Sequence, residues 1–410
     1  MNTTRRQFLG RALAAPAVWA VGASVPAFLR RAAAFESGAH DGRVLVIVQL
    51  SGGNDGLNTI VPFRHDAYRK ARPTLAQPEA DVLRINDELA LHPALKGFAS
   101  LLEAGRLAII QGVGYPNPNR SHFESMDIWH TCQRKNDPRT DGWIGRYLDR
   151  LPENADLGAM HLGSEKQPAA LAARRVRVPS VKSLEQFRLR AGTDQTKQAV
   201  DALAQVKRDD SDELLGFVQT STTSALAVSE RFAKLNSGRK PARDYPATDL
   251  GRKLGTVAQL IAAALPTRVY YVELDGFDTH AQQAQAHAAL LRQLGEAVGA
   301  FHDDMQQQGL ADRVLLMCFS EFGRRLAENA SKGTDHGAAA PMFLVGPSVM
   351  AGLVGEHPSL LQLDEGDLIH HTDFRQVYAT VLEQWLKVQS EPIVGGRFQP
   401  VPALKGRGAA

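Results

Sequence analysis

Cysteine is almost absent from this chain: Cys132 and Cys318 are the only two in 410 residues. Two cysteines make no disulfide framework, although a single bridge stays open in an oxidising compartment. No CxxC and no clustered Cys/His pattern occurs, which argues against a structural zinc knuckle. An excess of charge of one sign is also missing. The whole chain has 47 Lys+Arg against 44 Asp+Glu, but residues 1–34 hold five arginines and no acid. The remainder therefore carries 42 basic and 44 acidic residues, and nothing points to nucleic acid. Long hydrophobic runs are lacking too. The stretch Ala12 to Leu29 is broken by Pro16, Gly22, Ser24 and Pro26, so it reads poorly as a membrane anchor of ~20 residues. There is no repeat, no low-complexity tract and no GK[ST] phosphate loop.

The opening TTRRQFLGRAL, with Arg5, Arg6, Phe8 and Leu9, leads into that moderately apolar stretch and ends at the small residues Ala32 to Ala34. This is the layout of a twin-arginine export signal. We expect residues 1–34 to be removed and 35–410 to work in the periplasm or outside the cell. The protein would cross folded, with the twin-arginine machinery as a partner and with no stable membrane anchor. Residues 35–410 read as one elaborated domain.

Four apolar runs each end in a polar motif. RVLVIVQL (43–50) precedes SGGNDG, LAIIQGVG (107–114) precedes YPNPNRSH, RVYYVEL (268–274) precedes DGFDTH, and RVLLMCF (313–319) precedes SEFGRR. Such runs suit strands buried on both faces. In an open α/β sheet, ligands bind outside the carboxyl ends of the strands. The motifs should therefore gather at one sheet edge and bring Asp55, Ser121, His122, Asp278, His280 and Glu321 together. GTDHG adds Asp335 and His336. Carboxylates, imidazoles and a hydroxyl in one place point to a hydrolytic, metal-dependent site. Helical patterns alternate with the strands, at His92–Arg106, after Ser121, after DGFDTH and over the closing DFRQVYATVLEQWLKV. Residues 183–250 are polar, helical in pattern and poor in strands, which reads as a helical insertion over the sheet edge or as a peripheral helix pair.

Each motif has a structural and a functional reading. Asp55 between glycines can bind a metal or cap a turn. Ser121 at a helix start, with Glu124 three residues on, has capping-box spacing; it can equally be a nucleophile facing an anion. Arg120 can neutralise an anionic substrate or be solvated, and Arg324 can bind an anion or pair with surface acids. Asp278 and His280 suit a metal or a hydrogen-bonded pair. Glu321 can ligate, and His336 between glycine-rich turns is a ligand candidate. His370 and His371 read as structural.

SGGNDGLNTIVP, HPALKGFASLLEAGRLAIIQGVGYPNPNRSHFESMDIWH, DGFDTH, SEFGRR and TDHG together resemble the secreted family called domain of unknown function 1501 (DUF1501), over nearly all of residues 35–410. The resemblance implies an α/β fold: the α/β/α sandwich of the alkaline phosphatase-like and sulfatase-like superfamily, with a mostly parallel central sheet. It implies Asp55, Asp278, His280 and His336 around one or two divalent metal ions and Ser121 as nucleophile, while Glu321 stands where the superfamily usually has an aspartate. Phe322 stands where the superfamily usually has a histidine, so the ligand set for two ions is incomplete. The expected function is an exported, metal-dependent hydrolase of phosphate or sulfate esters, acting on an anionic ester. A non-catalytic envelope protein binding a polyanion on the same fold is the alternative.

Overall fold

The computed structural model describes residues 42–151, 158–182 and 241–406. The expected signal (1–34) and most of the expected insertion (183–250) lie outside them; residues 241–248 are a loop that leads into a helix.

The four apolar runs are strands. β1 (Val44–Ser51), β2 (Leu107–Gly114), β3 (Ala159–Leu162), β4 (Ser180–Val181), β5 (Val269–Asp275), β6 (Val314–Ser320), β7 (Ala340–Val345), β8 (Gly352–Val354) and β9 (Thr372–Asp373) form one nine-stranded sheet. Its order is β8-β2-β7-β6-β1-β5-β3-β4, with β9 also pairing with β2. β1 lies parallel between β5 and β6, with Ile47 opposite Tyr271 and Met317. β7 runs antiparallel to both β2 and β6, while the other pairings are parallel. The sheet is mostly parallel, so the carboxyl ends of β1, β2, β5 and β6 share one edge.

Alternation along the strands feeds a core on each face, because successive side chains point to opposite sides. Val46, Val48, Tyr270, Val272, Leu316 and Cys318 meet helices α1 (Lys96–Glu103), α3 (Asp249–Ala262) and α4 (Gln283–Gln307). Leu45, Ile47, Tyr271, Leu315 and Met317 meet α2 (His122–Thr131), a short helix at Trp143–Leu148, and α5 (Phe374–Thr380). The result is an α/β/α sandwich. Cys132 and Cys318 are both buried and free, in the cores of opposite faces.

Local signals explain the helix limits. Gly105, at φ +70°, follows the last turn of α1 and ends it. α1 and α4 approach so closely at Gly97 that a Cβ there would strike the Gly295 carbonyl. α5 opens with a capping box between Asp373 and Gln376. The capping box expected at Ser121 does not form. Ser121 is the N-cap of α2 but its side chain makes no cap hydrogen bond, and Glu124 pairs instead with Arg139.

Candidate metal centre

The loop after β1 is shaped by two glycines at positive φ, Gly52 (+111°) and Gly53 (+74°). A Cβ at Gly52 would strike the Asp278 backbone nitrogen, and one at Gly53 would strike the Phe322 ring. Only glycine lets the motifs after β1, β5 and β6 come this close. They are then tied by short bonds. The Gly52 N–H donates to Glu321 Oε1 (2.9 Å), the Asn54 N–H to Ser320 Oγ (2.9 Å), and the Phe277 N–H to the Ser51 carbonyl (3.0 Å). The loop after β2 is closed by Tyr115, whose hydroxyl accepts from the Asn119 N–H (3.0 Å) and pairs with Ser125 Oγ (2.9 Å).

Asp278 Oδ1 is the meeting point. Four groups converge on it: Arg324 Nη2 at 2.8 Å, His280 Nε2 at 3.0 Å, His336 Nε2 at 3.2 Å and His122 Nε2 at 3.3 Å. His280 Nε2 also lies 2.8 Å from His336 Nε2. Each imidazole has its other nitrogen on an oxygen. His336 Nδ1 faces the Arg120 carbonyl (2.7 Å), His122 Nδ1 faces Glu321 Oε1 (2.8 Å), and His280 Nδ1 lies 3.5 Å from Asp335 Oδ1. A carbonyl can only accept, so His336 Nδ1 carries the proton and its Nε2 lone pair turns to the centre when the ring is neutral. Phe322, itself buried, packs against both the His122 and His336 rings (centroids 4.8 Å in each case).

This arrangement fits a metal ion. Imidazoles that ligate a metal commonly donate their other N–H to a carboxylate or carbonyl, which fixes tautomer and ring orientation. Ligand atoms of His122, Asp278 and His336 lie within 4.8 Å of one another. His122 Nε2 is buried and has no aligned hydrogen-bond partner. Neutral imidazole lone pairs facing a carboxylate oxygen repel it, and a cation among them turns that repulsion into coordination. The hydrogen bond to Glu321 pushes the His122 pKa up despite burial. Burial works to raise Asp278, but the Arg324 guanidinium bonded to it brings it down to about 2. Burial pulls His336 below its ordinary value.

Three expected ligands, Asp278, His280 and His336, thus come together, and Ser121 sits exposed beside His122 at the start of α2. The other expected site residues make the following contacts. The Asp55 carboxylate is buried away from the cluster. It forms an ion pair with Arg72 (2.6 Å), accepts from Gln283, and caps Asn58. Glu321 spends Oε1 on Gly52 and His122 and Oε2 on the Ser320 hydroxyl (2.9 Å), so both of its oxygens are engaged by protein groups. Arg324 has no exposed side-chain surface. It donates to the carbonyls of Gly52, Gly53, Phe277 and Thr334 besides Asp278, so it braces loops and does not face a substrate. The Arg120 guanidinium is held by Asp367 (2.7 Å) and Glu365 (3.5 Å), and its contribution to the centre is its carbonyl.

Two things escaped the sequence reading. His122 reached the predicted edge but was not assigned as a ligand, because the neighbouring Ser121 held the helix-start reading. Its position at the start of α2, closing the polar motif that follows β2, was the available signal. Arg72 lies in a stretch without any motif, and nothing in the spacing shows that it is buried against Asp55.

Among the described residues no helix is long and apolar enough to cross a membrane. No curated protein matches the chain. Among solved structures, it is similar to a protein in the alkaline phosphatase superfamily from Vibrio parahaemolyticus (10% identity, 87% of this chain and 69% of that one, TM-score 0.38). It is also similar to the alkaline phosphatase from the Antarctic bacterium TAB5 (11% identity, 75% and 92%, TM-score 0.35) and to the lipoteichoic acid synthase from Listeria monocytogenes (10% identity, 81% and 74%, TM-score 0.33). Likenesses at this level transfer no activity, and the functional reading rests on the side chains described above. The family described as protein of unknown function (DUF1501) matches residues 43–388, and the chain belongs to that family.

Proposed function

We propose that this protein is an exported, metal-dependent hydrolase of phosphate or sulfate esters. The observation that supports this most is the convergence of three imidazole Nε2 atoms on Asp278 Oδ1, each ring held from behind by an oxygen. His122, Asp278 and His336 would hold the ion, with His280 beside them. A divalent ion held there supplies Lewis acidity toward an ester oxygen. The remaining chemistry belongs to the chain. Ser121 is exposed and spends no side-chain hydrogen bond on its own helix, which leaves its hydroxyl available to attack. The free N–H groups at the start of the ten-residue helix α2 favour the negative charge of a bound ester. As the Ser121 Oγ–phosphorus bond forms, the ester P–O bond breaks and the hydroxyl proton passes to the leaving alkoxide. Water then releases phosphate from the serine.

One observation favours the alternative of a non-catalytic envelope protein. Arg120 and Arg324, the arginines expected to meet an anionic ester, are both committed to other groups, so neither is left to neutralise it. A panel of aryl phosphates and sulfates separates the two readings. Wild-type protein loaded with metal should turn over at least one of them. Ser121→Ala should lose that turnover while keeping its fold and its metal, and Ser121→Asp should behave likewise. Retention of wild-type rate by Ser121→Ala would remove serine from the mechanism, and silence of the wild type on every ester would favour the binding protein.

A further inference from the structure

We infer that this centre takes one imidazole-preferring transition ion of the zinc class and rejects Mg2+ and Ca2+, and that Arg324 is the positioning residue that sets the preference. The inference rests on the metal-binding part of the proposed function and extends it to the class and number of ions. Magnesium and calcium are hard cations that need several oxygen ligands. The cluster offers three imidazole nitrogens and one carboxylate, and the Oδ1 of that carboxylate already receives the Arg324 guanidinium at 2.8 Å. Nearby carboxylates are engaged elsewhere. Glu321 holds His122, Gly52 and Ser320; Asp55 holds Arg72; Asp367 holds Arg120 and lies 3.3 Å from Arg325. Asp335, the remaining candidate, is bonded to Asn329 and faces the outer nitrogen of His280.

Arg324 cannot retire from the site, because four backbone carbonyls, from the loops after β1 and β5 and from the strand Thr334–His336, fix it there. A permanent positive charge therefore stands beside the one ligand carboxylate. A hard dication would depend on that oxygen and meet the guanidinium's repulsion with little in return. Zinc-class ions gain most of their affinity from nitrogen donors and need the oxygen less. The donor set also argues for a single ion, since three imidazole nitrogens and one carboxylate complete the ligands of one tetrahedral ion and leave none for a second.

The test is a titration of chelator-stripped full-length protein with zinc, cobalt, magnesium and calcium chlorides. It is read by thermal unfolding and by elemental analysis after dialysis, with no use of turnover. Wild type should be stabilised by micromolar zinc and retain one ion per chain, while millimolar magnesium or calcium should do neither. Arg324→Gln should bind magnesium at least tenfold more tightly than wild type, because Asp278 loses its fixed partner. Arg324→Lys should keep the discrimination but lose roughly 10–100-fold in zinc affinity, as for other lost supports of a ligand. Stoichiometric magnesium or calcium on the wild type, two zinc ions per chain, or no ion at all would overturn the inference. A folded Arg324→Gln with wild-type magnesium affinity would remove the role of Arg324. If that variant does not fold, the wild-type titration still decides ion class and number. Zinc binding without any ester turnover would sink the hydrolase reading and leave this inference standing, whereas turnover supported by magnesium would do the reverse.

Discussion

At the scale of single residues, two buried guanidinium groups define what the site can be. Arg324 stitches together the loops after β1, β5 and β6, and Arg72 closes off Asp55. Neither side chain of the Arg72–Asp55 pair has any exposed surface, so removing one partner leaves a charge buried without compensation. Asp55→Asn should therefore cost about 3–5 kcal/mol of stability while leaving the metal content of folded protein unchanged, as seen by urea unfolding and elemental analysis. A variant that loses its metal but not its stability would return Asp55 to the ligand set. The pair also fixes a pH dependence. Burial alone would raise the Asp55 pKa, but the charges of Arg72 and His287 and the hydrogen bonds from Arg72 and Gln283 hold it below its ordinary value. A carboxyl with a depressed folded pKa adds stability above its unfolded pKa of about 3.9 and loses it as pH falls toward the folded value. Wild type should thus lose more stability below pH ~4 than Asp55→Asn does. Asp278, His280 and His336 could be named from the sequence because they stand in compact motifs right after strands. Asp55 stands in such a motif too, and its different fate is decided by an arginine 17 residues away that carries no sequence signal of burial.

At the scale of elements, α2 carries both Ser121 and His122, so its seating on the sheet sets the geometry of the centre. Its last turn is anchored by His130, whose Nε2 lies 2.8 Å from Gln49 Oε1 on β1 and 3.2 Å from the Tyr271 hydroxyl on β5. All three side chains are buried, and burial holds His130 neutral, with its pKa down to about 3. Near its first turn, Ser125 Oγ donates to the Glu321 carbonyl (2.6 Å). His130→Ala should leave a cavity and a poorly satisfied Gln49–Tyr271 pair, and destabilise the protein by about 2–4 kcal/mol. It should also weaken metal binding through the displacement of His122, which a change confined to packing would not do; an unaltered metal affinity would mean that α2 is held by its other contacts. The strands and the long helix were legible in the sequence because buried parallel strands read as unbroken apolar runs and a 25-residue helix repeats its pattern many times. The capping box at Ser121 was misread because Arg139, fifteen residues on, competes for Glu124.

At the scale of the whole molecule, the centre draws on segments far apart in the chain: His122 after β2, Asp278 and His280 after β5, Glu321 after β6, and His336 from the hairpin Arg324–Glu328/Thr334–His336. Sequence reasoning reached this convergence because the topology forces it: parallel strands deliver their carboxyl ends to one edge. It could not rank the ligands, since ranking depends on which oxygen stands behind each imidazole. The same dispersal predicts how the molecule responds to metal removal. An ion bound to residues from several loops binds only when the sheet edge is assembled, so it stabilises the native state by RT ln(1 + [L]/Kd), about 2.7 kcal/mol at a free concentration of 100 Kd. Stripping the ion with a chelator should lower the melting temperature by several degrees, and adding zinc back should restore it. His336→Ala should melt near the stripped wild type and no longer respond to zinc, because its removal takes away one ligand and frees the Arg120 carbonyl. His370→Ala, a histidine with no part in the cluster, should respond to zinc as wild type does. The measurement is a zinc titration followed by thermal unfolding for the three proteins. An equal response from His336→Ala and wild type would show that the ion stabilising this fold sits somewhere other than the edge where these segments meet.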